Sequence, residues 1–352
     1  MKSFYECSFF TKENFKICKH FTVEQEEIVL GESPTTSDPN AKYAFKKQLV
    51  EYRCSWQKQD NWDSKKPTIL IPIRDNKILI DTTIKNLKDT SVTNHTNVII
   101  IDDRSEEDIK GSTINGGLSY LRVDNDKGFN FSMLNNIAAK ICHELGNTEI
   151  ILWNSDLWCE KEEWFLELMF RHRNYGSKLS GSKLLYPPIE MSLNKEADTD
   201  NIKKHFPHMN DGKWRGTVQF GGSYWVGTQQ FLKFSPLHYK RFASPDNPLI
   251  NNDRGSDFVT GALQVWDLEH FISMGGLNPS LSKVFQDVDA CLRSIEAGEI
   301  PMYFGKDIHF HHDESFNMYN AKDHVKEDHQ YISDHVLFAK LWNEKIIKVV
   351  LA

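Results

Sequence analysis

Four short apolar runs in the first half of the chain constrain its fold more than any other feature of the sequence. Each is five or six residues long and stops at polar residues; the runs are 68–72, 97–101, 118–123 and 149–153. Segments with a helical spacing of apolar residues lie between or after them, at 78–87, 131–145 and 160–172. Strands that alternate with helices in this way predict a mostly parallel sheet covered by helices, and hence an α/β fold.

The rest of the chain is less regular. Residues 186–256 are rich in Pro, Gly, Asn and Asp, with strand-like stretches at 217–221 and 224–226, whereas 269–274, 287–296 and 325–347 have helical patterns. Residues 31–42 have the composition of a loop, and Tyr43–Tyr52 has the pattern of a short helix. We therefore expect an N-terminal extension without assigned chemistry (1–64), one main domain (65–320) and a C-terminal helical extension (321–352).

Charge and composition argue against several classes of protein. The net charge of −7 gives no electrostatic basis for binding nucleic acid. The six cysteines are scattered without a CxxC pair or a zinc-ligand spacing, which is typical of reduced thiols in a cytoplasmic protein. A charged N-terminus and the lack of an apolar run of about 18 residues argue against a signal peptide and a transmembrane segment. Peripheral association with the inner face of a membrane stays open.

Polar side chains follow three of the predicted strands directly. Asp75 comes just after the first strand, Asp102 and Asp103 end the second, and Asp156 follows the fourth. Ligands of open α/β sheets bind beyond the carboxyl ends of the strands. Carboxylates gathered there repel one another unless a cation or hydrogen-bond donors share the site. The alternative for each single residue is a helix cap or a turn.

The order of these and later motifs resembles family 2 of the inverting GT-A glycosyltransferases, of the type that builds bacterial polysaccharides. The resemblance covers 67–315. It implies a GT-A fold in which 65–160 bind a nucleotide sugar and 161–320 bind the acceptor. The matching segments are Ile71-Pro72, Asp102-Asp103-Arg104-Ser105, 128–136, Asn154-Ser155-Asp156 in place of Asp-x-Asp, 257–262, 274–278, Gln286-Asp287-Val288-Asp289 in place of Glu-Asp-x-Asp, and 309–315.

On the donor side, the resemblance implies a pocket for the nucleotide base. Asp103 would contact the base, and Pro72 and Arg74 would line the same pocket. Asp102 would either join them or only fix the end of its strand. The resemblance favours a UDP-sugar as the donor.

The resemblance also implies a divalent cation, Mn²⁺ or Mg²⁺, that neutralises the leaving diphosphate. Its ligands would include Asp156, with Asn154 at the first position of the motif. One of two adjacent histidines would complete the site: His311 as a further metal ligand, or His312 as a contact to the diphosphate.

On the acceptor side, the resemblance makes Asp287 the general base that takes the proton from a glycan or glycoconjugate hydroxyl. Gln286 and Gly261 would lie near the acceptor or the diphosphate. Because Gln286 replaces an acidic residue, a like-charge repulsion is absent, and we expect a lower pKa for Asp287.

Two alternatives remain open at the level of the sequence. Asn154 and Gln286 are the substitutions expected in a nucleotide- or sugar-binding module that has kept the fold and lost catalysis. A sugar nucleotidyltransferase also uses an α/β sheet with an acidic metal site. Such enzymes usually carry a glycine-rich, basic loop after the first strand, and 72–78 contain no glycine.

Overall fold

The structure is a computed structural model. It describes residues 5–7, 17–29, 44–125, 128–193, 214–228, 232–313 and 324–350. The loop predicted over 31–42 and parts of the irregular segment 186–256 lie outside these ranges. Among the described residues, no helix is long and apolar enough to cross a bilayer.

The described strands, in chain order, are β1 (Tyr5–Cys7), β2 (Ile17–Val29), β3 (Ala44–Gln57), β4 (Thr68–Ile73), β5 (Asn97–Asp102), β6 (Ser119–Asp124), β7 (Glu149–Trp153), β8 (Leu157–Trp158), β9 (Leu179–Ser182), β10 (Leu184–Leu185), β11 (Val218–Phe220), β12 (Ser223–Gly227), β13 (Phe234–His238), β14 (Asp253–Gly255), β15 (Leu263–Asp267), β16 (Met302–Phe304) and β17 (Phe310–His312).

The described helices are α1 (Lys77–Asp89), α2 (Val92–His95), α3 (Ile109–Asn115), α4 (Phe131–Glu144), α5 (Glu162–Asn174), α6 (Leu268–Ser273), α7 (Gln286–Glu296), α8 (His324–Trp342) and α9 (Ile346–Val350). Asparagine side chains begin two of the helices that cover the sheet. Asn76 accepts from the amide of Leu79 at the start of α1, and Asn130 accepts from the amide of Met133 at the start of α4.

The main sheet has the strand order β1-β2-β3-β6-β5-β4-β7-β15-β9-β16-β14. Its centre is parallel: β4 pairs in parallel with β5 and β7, and β5 with β6. These are the four strands predicted from the apolar runs, and all residues of β4 and β5 are buried. The prediction of an α/β fold with a parallel central sheet is confirmed, and most of the added strands pair antiparallel and make the whole sheet mixed.

The N-terminal segment supplies strands to this same sheet. The helix predicted over Tyr43–Tyr52 is wrong, because the chain there is part of β3, which pairs antiparallel with β6. Along β3, the side chains of Tyr52, Cys54 and Trp56 are buried, whereas Arg53 and Ser55 are exposed. This alternation has the period of two that places one face of a strand on a core.

Replacement of Trp56 by Ala is expected to lower the free energy of unfolding by about 3–5 kcal/mol, because the indole is buried and packs edge-on against Trp62 with ring centroids 6.0 Å apart. Urea denaturation of the full chain measures the change. Ser55→Ala, at the neighbouring exposed position, is the control and should change stability by less than about 0.5 kcal/mol. Equal effects of the two substitutions would contradict the packing of β3 on the core.

Candidate active site

The candidate active site lies at the edge where β5, β4 and β7 end. Ile73 of β4 is in register with Asp102 of β5, and the amide of Asp103 donates to the carbonyl of Ile73 at 2.8 Å. On the other side of β4, β7 ends at Trp153 and the chain continues into Asn154. The residues that follow these three strands therefore share one edge of the sheet, where α/β folds bind their ligands.

Asp75 serves as a turn residue at this edge. Its backbone is left-handed, with φ 57°, and its amide donates to the hydroxyl of Ser105 at 2.7 Å. Its carboxylate accepts from the amide of Glu106, also at 2.7 Å. These bonds tie the segment after β4 to the segment after β5, so at Asp75 the structure favours the turn over a ligand-binding role.

Asp102 is neutralised by the protein itself. Its Oδ1 accepts from the amide of Ser105 at 2.7 Å, and its Oδ2 accepts from the Tyr120 hydroxyl and from Arg122 Nη1, the latter at 3.0 Å. Its side chain is almost fully buried. Because both oxygens are used internally, the geometry favours the alternative in which Asp102 fixes the end of its strand.

A cavity of about 390 Å³ opens on this side of β5, and it does not suit a diphosphate. Four of its side chains are acidic and two are basic; its lining residues are Ser55, Asp102, Glu106, Glu107, Asp108, Lys110, Tyr120 and Arg122. The excess of carboxylates repels an anion. Neither Asp103 nor Asp156 lines this cavity.

Asp103 has the opposite environment from its neighbour. Its side chain is fully buried, and neither carboxylate oxygen has a hydrogen-bond partner of normal geometry among the described residues. Arg74 Nη1 lies 3.6 Å from Oδ2. Burial raises the pKa of Asp103 to about 7, while the charge of Arg74 and the side chain of Asn125 oppose the shift. Of the three residues predicted to line the base pocket, Asp103 and Arg74 have side chains in contact. Pro72 is buried in β4, in register with Ile101 of β5.

Asn154, Asp156 and His312 meet although 158 residues separate the first from the last. His312 Nε2 lies 3.1 Å from Asp156 Oδ1 and 3.1 Å from Asn154 Nδ2. Its Nδ1 lies 2.7 Å from Gln219 Oε1, an acceptor, which fixes a proton on Nδ1. In the neutral ring the Nε2 lone pair therefore points toward Asp156 and Asn154. The amide of Asp313 also donates to the Asp156 carbonyl at 2.9 Å, which ties β17 to this loop.

This cluster has the donors and spacing that suit a divalent cation. A neutral imidazole nitrogen and a carboxylate oxygen at 3.1 Å match neighbouring ligands of an octahedral ion, which lie roughly 3 Å apart when the bonds are ~2.1 Å. A hydrogen bond to the second ring nitrogen, here from His312 to Gln219, is the usual support of a metal-binding histidine. The residues present therefore fit the cation that the sequence predicts.

His311 lies elsewhere. Alternation along β17 sends its side chain to the other face, where Nε2 is 2.7 Å from Glu160 Oε1. The structure thus brings His312, and not His311, to Asp156. Adjacent residues of a strand face opposite ways, and the pairing of β17 with β8 shows which of the two histidines faces the site.

Asp287 is held in the first turn of α7 by main-chain donors. Its Oδ2 accepts from the amide of Gly261 and its Oδ1 from the amide of Val288, both at 2.8 Å. Burial raises the pKa of Asp287 above its usual value, and these two hydrogen bonds oppose the shift. The expectation of a lowered pKa is therefore wrong, because desolvation outweighs the missing charge at Gln286. A Cβ on Gly261 would lie 3.2 Å from the Asp287 Cβ.

Strand β15 connects Asp287 to the Asn154 side of the site. The amide of Asn154 donates to the carbonyl of Ala262 at 3.0 Å, next to the Gly261 amide that binds Asp287. Gln286 carries a buried Oε1 without a hydrogen-bond partner among the described residues, and its Nε2 reaches only the Lys283 carbonyl, at 3.5 Å.

The C-terminal helix α8 fixes the start of α7. Asp334 accepts from the amides of Lys283 and Val284 at 2.7 and 3.0 Å. Phe285 has a left-handed backbone, with φ 64°, and stacks on Phe338 with ring centroids 4.6 Å apart. An L side chain in this conformation costs about 1–2 kcal/mol, so packing by α8 stabilises the turn that presents Asp287.

Three contacts of the candidate site were not found from the sequence. Gln219 supports His312 from β11, and Tyr120 and Arg122 neutralise Asp102 from β6. The polar residues of β6 carried a signal, because Tyr120 and Arg122 alternate with the apolar Leu121 and Val123 at a spacing of two. Gln219 gave no such signal, because it lies in the irregular segment 186–256.

No protein-family model matches the chain, and a comparison with curated proteins finds no match. Similarities to solved structures do exist. A structure of GalNAc-T7 with UDP, GalNAc and Mn²⁺ is similar over 70% of this chain and 44% of its own, with 12% identity and a TM-score of 0.49. The chain thus spans less than half the length of that protein.

Two further structures have lower scores. The mannosyltransferase PcManGT of Pyrobaculum calidifontis, in complex with GDP-Man and Mn²⁺, has 9% identity and a TM-score of 0.43, over 81% of this chain and 73% of its own. TarS of S. aureus has 12% identity and a TM-score of 0.43, over 80% and 73%. Likenesses at this level do not carry the assignment below, which rests on residues of the site.

Asp103→Asn is expected to stabilise the protein at alkaline pH. Because burial raises the folded-state pKa above the unfolded value, ionisation of Asp103 reduces stability as the pH rises from about 4 to about 7. At pH 8 the free energy of unfolding of the Asn variant should exceed that of wild type by roughly 2–4 kcal/mol. This difference should be markedly smaller at pH 5. Urea titrations at both pH values measure the difference.

Asp102→Asn is the matched control at the neighbouring residue, which is the last residue of β5. It weakens bonds to Ser105, Tyr120 and Arg122, so it should destabilise the protein by about 1–3 kcal/mol. Two results would contradict the difference between the two carboxylates. One is an increase in the free energy of unfolding of Asp103→Asn that does not change with pH, and the other is a stabilising effect of Asp102→Asn.

Proposed function

We propose that this chain is a GT-A-type glycosyltransferase that moves a hexose from a nucleotide-diphosphate sugar to a glycan hydroxyl with inversion. The observation that carries the proposal is the convergence of two groups at one sheet edge. Asp156 and His312 lie 3.1 Å apart with donor atoms that suit a cation, and Asp287 is a partly buried carboxylate that accepts from the amide of Gly261, just before β15. A diphosphate leaving group and an attacking hydroxyl require these two functions side by side.

We assign the donor to the edge formed by β5, β4 and β7. Asp103 would accept from an N–H of the base, and Arg74 beside it would contact the nucleotide. Such a bond would satisfy a buried carboxylate that has no hydrogen-bond partner of normal geometry among the described residues. A UDP-sugar is the favoured donor, in line with the resemblance of the motifs. Residues 65–160 would form this donor half and 161–320 the acceptor half.

A divalent cation, when bound, would neutralise the charge that develops on the diphosphate. His312 Nε2 and Asp156 Oδ1 would hold it, with Asn154 at the edge of the site. The imidazole ligand favours Mn²⁺ over Mg²⁺, because Mg²⁺ prefers oxygen ligands alone.

Asp287 would act as the general base. The acceptor oxygen attacks the anomeric carbon while its proton passes to Asp287, and the bond from that carbon to the phosphate oxygen breaks on the opposite face. A single displacement of this kind inverts the anomeric centre. A pKa raised by burial makes the ionised carboxylate a stronger base, and the amides of Gly261 and Val288 fix its orientation.

The acceptor is proposed to be a surface polysaccharide or another glycoconjugate, and the reaction to take place in the cytoplasm, at the inner face of the membrane. The non-catalytic binding module remains the second candidate. Asn154 and Gln286, each in place of an acidic residue, favour it, and turnover of a donor would exclude it.

The test is release of nucleoside diphosphate from a panel of UDP-, GDP- and dTDP-sugars, with Mn²⁺, Mg²⁺ or EDTA and with glycan acceptors. Wild type should release diphosphate from one donor with Mn²⁺ and lose this activity in EDTA. Asp287→Asn should lower kcat by roughly 10²–10⁴-fold while donor binding is retained, because it removes only the base. Asp246→Asn, the same change at an exposed aspartate, is the control and should leave kcat unchanged.

The role of Asp156 and His312 as cation ligands is tested by measuring the Mn²⁺ concentration that gives half-maximal activity. His312→Asn and Asp156→Ala should each raise this concentration at least ~10-fold, since each removes a ligand. His143→Asn, at a histidine on the last turn of α4, is the control. Release that does not need metal, or that survives Asp287→Asn, would overturn the proposed mechanism.

A further inference from the structure

A second group of metal-binding side chains lies on the opposite face of β17 from His312. It consists of Glu160, which follows β8, His309, which precedes β17, and His311 within β17. One carboxylate oxygen and one nitrogen of each ring all lie within 4.8 Å of one another. His311 Nε2 and Glu160 Oε1 are the closest pair, at 2.7 Å.

The local packing holds this group together but leaves it short of partners. The ring of His309 lies on the indole of Trp164, with centroids 4.0 Å apart, and meets the ring of His311 edge-on at 5.4 Å. His311 is 4% exposed, and its Nδ1 has no hydrogen-bond partner among the described residues. A buried, unpaired ring nitrogen beside a second imidazole and a carboxylate is costly unless a ligand completes the group.

We propose that Glu160, His309 and His311 bind a zinc ion. Two imidazole nitrogens and one carboxylate oxygen are a common zinc ligand set, with water in the fourth position. Tetrahedral bonds of ~2.0–2.1 Å place ligand atoms roughly 3.3 Å apart, which modest side-chain rotations achieve from the present spacing.

The zinc ion would have a structural role. Glu160 lies between β8 and α5, His309 lies just before β17, and His311 lies within β17. The ion would clamp these two segments together. Because His312 is the next residue on β17, the clamp would also fix the strand that carries His312 into the candidate active site. The site is separate from Asp156 and does not depend on the proposed glycosyl transfer.

The test is zinc binding by the full chain after removal of metals with EDTA and dialysis. Competition with a chromophoric chelator should give one tight zinc site per chain. This site should persist in Asp156→Ala, which removes the other cation pair. Glu160→Gln and His309→Asn should each weaken zinc binding at least ~10-fold.

Glu162→Gln is the matched control. Glu162 also pairs with a histidine, His95 at 2.6 Å, but within the described part of the chain it belongs to no group of three metal-binding side chains, so zinc affinity should not change. Cobalt(II) provides a second measurement on wild type alone. Four-coordinate cobalt should give intense absorption bands in the visible range. This measurement uses wild type only, so it does not depend on whether a variant folds.

Three outcomes would overturn the proposal. The first is no zinc binding by wild type, or only the weak spectrum of six-coordinate cobalt. The second is zinc binding that Asp156→Ala abolishes and Glu160→Gln leaves intact. The third is equal loss of affinity in Glu160→Gln and Glu162→Gln.

Discussion

The antiparallel pairing of β7 with β15 is the constraint on which the rest of the site depends. It aligns Leu263 with Trp153 and continues beyond the strands, where the Asn154 amide donates to the Ala262 carbonyl. One side of this pairing leads to Asp156, and the other leads through Gly261 to Asp287. Two halves of the chain thus meet through main-chain hydrogen bonds, which do not depend on the identity of the side chains. The sheet itself therefore sets the distance from Asp156 and His312 to the carboxylate of Asp287.

Each carboxylate at this edge has a different electrostatic environment, and this separates their roles. Asp102 accepts from the Tyr120 hydroxyl and pairs with Arg122, which favours a structural role. Asp103 is desolvated, and its pKa is raised to about 7, so a donor group on a ligand would stabilise it. Asp156 faces an imidazole. Asp287 accepts from main-chain amides while burial raises its pKa.

The parts predicted from the sequence were those fixed by local pattern. The runs that became β4 and β5 are apolar throughout, because both faces of these strands are buried. Tyr43–Tyr52 was misassigned because its polar residues fit either period, and the clear alternation of buried and exposed side chains over Tyr52–Trp56 lies mostly beyond the end of that segment. His312 and Asp156 could not be matched in advance, since their contact depends on the pairing of β17 with β8, which no local pattern contains. The raised pKa of Asp287 likewise follows from tertiary burial.

The configuration of the product tests the central claim most directly. Proton NMR of the first-formed glycoside, made from whichever donor the chain consumes, reports the anomeric centre through its coupling constant. A single displacement assisted by Asp287 predicts a product of opposite configuration to the donor sugar. A product that retains the donor configuration would contradict it, because retention requires a second nucleophile or a different attack geometry.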